Sequence, residues 1–369
     1  MTTNSPDTPA HTARLAPWLQ HQLEGLLTQN GHAWLLAGPS GLGQFDLALA
    51  LATAWLCDQP TQQGACGRCS SCHSVAVHTH ADLCVLMPEA LSMSAGWPMD
   101  EKTQDELDAK KRKPSKEIKV DAARQAVTFT QVTRSRGNTK VVLVFPAERM
   151  NTITANTLLK TLEEPPGAVK FILATEAAHQ LLATLRSRCI GHTMVWPDFD
   201  ESLAWLQTAL AAPPLSETTV KKPVRALPAA DPAALRVLLR AAGGRPADAL
   251  AWAHSASPTD TARQWQALPQ AMVHGDPHAL ADLSPSAAVA ALQKLCHDVL
   301  ATRAGAAPRF FSTDDLPPVP KTPSSAGLYA LTQWSRELTA TARTVEHPYN
   351  PGLMLETLAS RAKQALAIR

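Results

Sequence analysis

Apolar positions recur at helical spacing near the start of the chain. Leu15, Leu19, Leu23, Leu26 and Leu27 fall on one face and predict a helix over 14–30. The short apolar run Ala33-Trp34-Leu35-Leu36-Ala37 predicts a buried strand that ends in a glycine-containing loop, and Asp46 to Leu56 predicts the helix after it. Three more apolar runs predict strands over 81–87, 140–145 and 169–175. Helices are expected over 120–132 and 151–162, the second stopped by Glu163-Glu164-Pro165-Pro166. Strands alternating with helices imply a parallel sheet covered on both faces. Residues 88–117 break the pattern. They are polar, carry Pro88, Pro98 and Pro114 and a dense charge run, and are expected to be an insertion or flexible loop.

Past Pro197 no further strand is expected. Helical spacing recurs over 201–211, 232–242 and 246–254, with a linker at 212–228 rich in Pro, Ser and Thr. From Pro258 onward the chain is again helical, with a Pro-rich break at 308–325 and last helices over 328–345 and 353–368. No internal repeat is present.

Composition narrows the partners. The 369 residues carry 34 basic and 32 acidic side chains, a formal charge of +2. That near-balance argues against a dedicated nucleic-acid surface while leaving a local patch open. No apolar run has transmembrane length, and Met1 to Ala10 lack the layout of a signal peptide, so a cytoplasmic protein with no membrane partner is expected. The seven cysteines are then thiols or metal ligands in preference to disulfides. Abundant alanine and 5% aromatic residues suit a mostly helical chain.

Five constellations bear on chemistry. Gly38-Pro39-Ser40-Gly41-Leu42-Gly43-Gln44-Phe45 has the glycine spacing of a phosphate-binding P-loop, G-x-x-x-x-G-K-[ST]. Gln44 stands where lysine would reach the phosphates, and Phe45 where a hydroxyl would hold Mg²⁺. The flanking strand and helix favour a degenerate Walker A loop over a turn of no such ancestry. Gly38, Gly41 and Gly43 retain the backbone freedom to cradle an anion. The strand over 140–145 ends Phe145-Pro146-Ala147-Glu148 without the acidic pair of a working ATPase, and Glu148 reads as a surface glutamate.

Cys57, Cys66, Cys69 and Cys72 are spaced C-x₈-C-x₂-C-x₂-C. Two consecutive C-x-x-C steps bring three thiolates into one turn, and Cys57 can close a tetrahedron, the usual arrangement of structural zinc. His73 is adjacent and could replace one thiol; a redox pair or inert cysteines are the alternatives. Four thiolate ligands leave no open position for catalysis. Arg186-Ser187-Arg188-Cys189 places arginines where they could reach a neighbour's nucleotide, although a surface ion pair is the simpler expectation from sequence alone. Lys110-Lys111-Arg112-Lys113 follows Asp100, Glu101, Asp105, Glu106 and Asp108, and is expected to be a solvated, self-neutralising loop.

Together these motifs resemble the delta-prime subunits of bacterial DNA polymerase III clamp loaders, of the AAA+ class. The resemblance rests on His32 to Pro39, the cysteine cluster, Glu148-Arg149-Met150-Asn151 with Ala155 to Pro166, Phe171 to Thr175, Ser187-Arg188-Cys189, and His347-Pro348-Tyr349-Asn350-Pro351. It spans about residues 14–365 and is most specific over 140–190. It implies an α/β AAA+ P-loop core over 1–197, with a zinc module at 57–72 and the polar insertion at 88–117. A helical lid over 198–256 and an all-α collar over 257–369 would follow.

The resemblance also implies partners and roles. These subunits sit in a five-subunit ring with delta and gamma/tau subunits. The ring loads the sliding clamp on primed DNA, as part of a DNA polymerase holoenzyme. This chain would be a non-catalytic stator with weak or absent ATP binding of its own. Arg188 would be an arginine finger acting in trans, aimed by Ser187 and Cys189, and Thr175 would take the sensor 1 position. Ala247 stands where active relatives carry the sensor 2 arginine. The alternatives are a weakly active gamma/tau-type ATPase, or a zinc-containing adaptor without a finger.

Overall fold

The computed structural model describes residues 15–137, 139–211, 231–255, 257–318, 324–345 and 350–367. The expectations for Met1 to Ala10, the linker at 212–228 and His347-Pro348-Tyr349 lie outside the described residues. The chain divides into two compact units, with the main boundary between Pro197 and Asp198.

The first unit is α/β. In chain order it contains α1 (Pro17–Leu27), β1 (Ala33–Ala37), α2 (Gln44–Leu56), α3 (Ser70–Ala76), β2 (Leu83–Leu86), α4 (Glu89–Ser94), α5 (Glu101–Asp108), α6 (Val120–Gln131), β3 (Lys140–Val144), α7 (Thr152–Glu163), β4 (Val169–Thr175), α8 (Ala183–Arg186) and β5 (Ile190–Thr193). The five strands form one parallel sheet in the order β2-β3-β4-β1-β5. Every residue of β3 is buried, as are all but one of β4. This is why the inner strands read as continuous apolar runs, with no alternation. Asn151 starts α7 by accepting the Thr154 backbone N–H at 2.9 Å. A parallel sheet gathers the loops after β1, β3 and β4 at one edge, where α/β proteins place their ligands.

Two expectations are corrected. β5 is absent from the sequence reading: Ile-Gly-His-Thr is short, lacks an apolar run and is mostly exposed. It is held at the sheet edge by pairing with β1 and by the buried Gln22 of α1. The Gln22 Oε1 accepts the Val195 N–H at 2.9 Å and lies 2.9 Å from His192 Nε2.

The segment 88–117 is not a flexible loop. It contains α4 and α5, and Glu89 is its strut. The Glu89 carboxylate, 12% exposed, takes Arg112 at 2.5 Å, Lys119 at 2.7 Å and the Ser115 N–H at 2.8 Å. Burial works to raise this carboxyl, but the Arg112 and Lys119 contacts outweigh it and hold it at about 2. Polar composition predicts a loop because the ordering force here is ionic and comes from residues up to thirty positions away in sequence.

The second unit is helical throughout the described residues, with α9 (Phe199–Ala211), α10 (Pro232–Ala241), α11 (Pro246–Ser255), α12 (Pro258–His274), α13 (Pro285–Arg303), α14 (Ser325–Thr344) and α15 (Pro351–Ala367). Leu206, Leu235, Leu238 and Leu239 centre one core cluster among α9, α10 and α11. Leu292, Leu295, Leu331, Ala359 and Ala362 centre another among the later helices. The fully buried Asp298 of α13 accepts the backbone N–H groups of Arg309, Phe310 and Phe311 at 2.7–2.9 Å, pinning the Pro-rich stretch to the helix. Among the described residues no helix is long and apolar enough to cross a membrane.

Candidate functional site

The glycine loop connects β1 to α2, the strand–loop–helix context that a P-loop requires. Gly43 caps α2 at φ 91°, a conformation that L side chains avoid, and a Cβ there would meet Leu19 Cδ1 at 2.7 Å. A Cβ on Gly38 would meet Met194 at 2.7 Å. Trp18 of α1 braces the loop by donating its indole N–H to the Leu42 carbonyl at 3.1 Å.

Gln44 is only 2% exposed, and its amide turns back into the loop. Nε2 donates to the carbonyls of Gly38 and Pro39, each at 2.7 Å. The side chain that would be a phosphate-seeking lysine is therefore spent on closing its own loop.

Phe45 fills the place expected for the metal-binding hydroxyl. Its ring lies 5.3 Å from that of Phe145, the residue after β3, where a working ATPase carries acid. Trp97, from the segment between α4 and α5, meets Phe45 edge-on at 6.2 Å and stacks on His78 at 3.9 Å. Trp97 is 9% exposed. Three rings from three segments thus gather beside the start of α2, and none of them offers an oxygen to a hard cation. The sequence marks Phe45 and Phe145 but not Trp97, because the polar composition of 88–117 reads as unstructured.

Thr175 ends β4 and is fully buried. Its hydroxyl donates to Glu148 Oε2 at 2.6 Å, and its carbonyl accepts the Gly38 N–H at 3.2 Å. Glu148 also receives the Glu176 N–H at 3.2 Å. It is therefore not the free surface glutamate expected from sequence: it ties the turn after β3 to the end of β4. The hydroxyl expected at the sensor 1 position is thus committed to this carboxylate.

Cys57 at the end of α2 joins Cys66, Cys69 and Cys72 in one group, their sulfurs all within 4.8 Å of one another. Cys69 caps α3 by accepting the Cys72 N–H, and Cys57 Sγ accepts the N–H groups of Gln59 and Cys66 at 3.4 and 3.3 Å. The Cys57 and Cys69 sulfurs are 3.8 Å apart. Four thiolates at the ~2.3 Å zinc–sulfur distance stand ~3.8 Å from one another, so the donor set fits a tetrahedral metal. A backbone N–H bond from Arg68, opposed by burial, helps hold the Cys66 thiol down at about 6, while burial pushes Cys57 up. Asp58 orders the same turn by accepting the Ser71 hydroxyl at 2.7 Å. His73 is exposed and is not part of the group.

Arg188 follows α8. Its Nη1 donates to the Thr184 carbonyl at 2.7 Å, and its Nε and Nη2 both engage the Glu163 carboxylate at the end of α7. The side chain is 33% exposed. Ser187 ends α8 and bonds the Thr184 carbonyl at 3.2 Å. Cys189 packs against the sheet core, where burial pushes its thiol up to about 11. The sequence marks this triplet, whereas it shows Glu163 only as part of a helix stop. Ala247, expected at the sensor 2 position, lies beside an Arg245–Asp248 ion pair at 3.1 Å.

The family described as DNA polymerase III, delta subunit, matches residues 16–194. DNA polymerase III subunit delta' of Pseudomonas aeruginosa is 38% identical over 205 residues, 55% of this chain and 55% of that protein. Subunit delta' of Escherichia coli is 34% identical over 198 residues, 52% of each. Subunit tau of Escherichia coli is 29% identical over 219 residues, 59% of this chain and 28% of that protein. The chain spans about half the length of the delta' relatives it matches. Over its α/β half the chain is thus similar to the DNA polymerase III delta' subunits, and the resemblance drawn from its motifs is borne out there.

Proposed function

We propose that the chain is a non-catalytic, stator-type subunit of a DNA polymerase III clamp loader, supporting ATP-dependent loading of the sliding clamp on primed DNA. The observation that carries this reading is the state of the P-loop-like turn. Gln44 is bonded to its own loop, Phe45 and Phe145 stand at the motif positions of a hydroxyl and an acid, and Trp97 packs against Phe45. Lacking lysine, metal anchor and sensor 2 arginine, the chain has no means to neutralise a transferring phosphoryl group of its own. The same observation disfavours a weakly active gamma/tau-type ATPase.

What the chain retains is Arg188. In this proposal it acts in trans on a neighbouring gamma/tau subunit. The guanidinium exchanges the Glu163 carboxylate for phosphoryl oxygens, trading one charge-assisted hydrogen-bonded pair for another. Ser187 and Cys189 fix the end of α8 that aims it. Residues 198–256 would form the lid and 257–369 the collar that joins delta and gamma/tau in the ring. The four cysteines would hold zinc, which supplies folding free energy and no chemistry.

The test is Arg188→Ala in the complex reconstituted with delta, gamma/tau, clamp and primed DNA. Clamp-loading ATPase should fall by at least about tenfold while assembly stays intact; arginine fingers are worth ~10³ or more in the strongest cases. An intact complex with unchanged ATPase would remove the finger and leave a zinc-containing adaptor.

A further inference from the structure

The segment 88–117 carries a surface that the proposed function does not use. α4, α5 and the turn after them border an open, shallow cleft of about 530 Å³. Met93, Leu107 and Pro114 line it together with Lys110, Lys111 and Lys113. Met93 is 44% exposed.

The charged side chains that line this cleft are all basic, although acids and bases over 88–117 as a whole are close to balance. Four of the nearby acids are engaged elsewhere. Asp100 caps α5 on the Thr103 N–H at 3.0 Å, Asp108 takes the Gln104 amide at 3.0 Å, and Glu89 and Glu106 both bind Arg112. Among the described residues no carboxylate pairs with Lys110, Lys111 or Lys113. The Arg112 clamp therefore consumes one cation of the run and orders the turn that presents the other three. The result is an apolar cleft with a basic rim, held in shape before any partner arrives.

We propose that this cleft docks an acidic peptide segment with an apolar face, from a partner protein. The rim supplies charge complementarity and the apolar lining supplies the anchor. A nucleic acid fits less well. Single strands are gripped by stacking platforms, and no aromatic side chain lines the cleft, since Trp97 is buried against Phe45 and His78. Phosphates alone would make no use of Met93 and Leu107. The inference stands whether or not Arg188 acts as a finger.

The experiment uses the full chain and a short fluorescein-labelled peptide with one Leu face and one Asp/Glu face, read by polarisation. A methyl-labelled methionine spectrum reports Met93 in the same titration. The peptide should bind, shift the Met93 methyl and weaken with added salt. The triple variant Lys110→Gln, Lys111→Gln, Lys113→Gln, which leaves the Glu89–Arg112 clamp in place, should bind about tenfold more weakly. Equal binding by the triple variant overturns the proposal, as does an unmoved Met93 methyl. A mixed-sequence oligonucleotide that binds the chain more tightly than the peptide and displaces it also overturns it, in favour of a nucleic-acid surface.

Discussion

The hydrogen bonds of Gln44 can be tested by changing one atom. Its amide donates to two carbonyls at 2.7 Å from a position that is 2% exposed. Gln44→Ala removes both bonds and leaves two partly buried acceptors to be satisfied by other means. At ~1 kcal/mol for each net bond, the loss is ~2 kcal/mol. Gln44→Glu keeps the shape but replaces the donor with an acceptor. A carboxylate facing two carbonyls must either lose its charge or repel them, so this variant should lose more, ~4 kcal/mol. With a urea slope of ~2 kcal/mol per molar, the midpoints fall by ~1 M for Ala and ~2 M for Glu. The titration is read by hydrogen exchange of the peptide covering residues 34–47, which isolates the loop from the helical unit. A Glu variant as stable as the parent would refute the argument, because it would mean that the amide does not hold the loop closed.

Two further outcomes follow from the same geometry. Glu89 sits at about 2, below the ordinary 4.5, so its contribution is complete above about pH 4.5 and fades as pH falls toward 2. Discounted for the 44% exposed Lys119, it amounts to ~1–2 kcal/mol. Glu89→Gln should therefore lower the urea midpoint at neutral pH and match the parent near pH 2; a gap that does not change with pH would refute the strut. Protein prepared without chelator should carry stoichiometric zinc by elemental analysis, and Cys69→Ser should lose it together with several degrees of thermal stability. A metal-free parent that melts at the same temperature as the zinc-loaded one would exclude a structural metal.

The legible parts of the fold are those set by short-range pattern. β1, β3 and β4 are buried runs bounded by turn residues, and α7 carries its own cap and its own Pro stop, so each announces itself within a dozen residues. β5 does not, because an edge strand paired on one side needs little apolar character, and its anchor, Gln22, lies far away in sequence. The order in 88–117 is hidden for a related reason: its strut joins Glu89 to Arg112 and Lys119, pairs with no periodicity. The site divides the same way. Gln44, Phe45 and the cysteine spacing are visible as departures from, or matches to, a local motif. Trp97 against Phe45, Glu148 under Thr175 and Glu163 on Arg188 are long-range pairings that only the folded chain brings together.

Those pairings bear on whether the nucleotide site can be restored. If Gln44 and Phe45 were isolated losses, the double variant Gln44→Lys with Phe45→Thr would recover a P-loop in sequence. The structure argues otherwise. Phe45 packs on Phe145 and Trp97, so replacing it with Thr opens a gap between two rings that remain, at a cost of ~2 kcal/mol for a half-buried aromatic. The introduced lysine would enter a position that is 2% exposed without a phosphate to meet it, adding an unpaired charge. Phe145 still supplies no acid for the metal, and Thr175 is still bonded to Glu148. The double variant should therefore be less stable than the parent and show no saturable Mg²⁺-dependent ATP binding by titration calorimetry. Micromolar Mg²⁺–ATP binding by that variant would show that the rings are bystanders. The proposed lack of hydrolysis would then rest on two side chains, with no part played by Phe145 and Trp97.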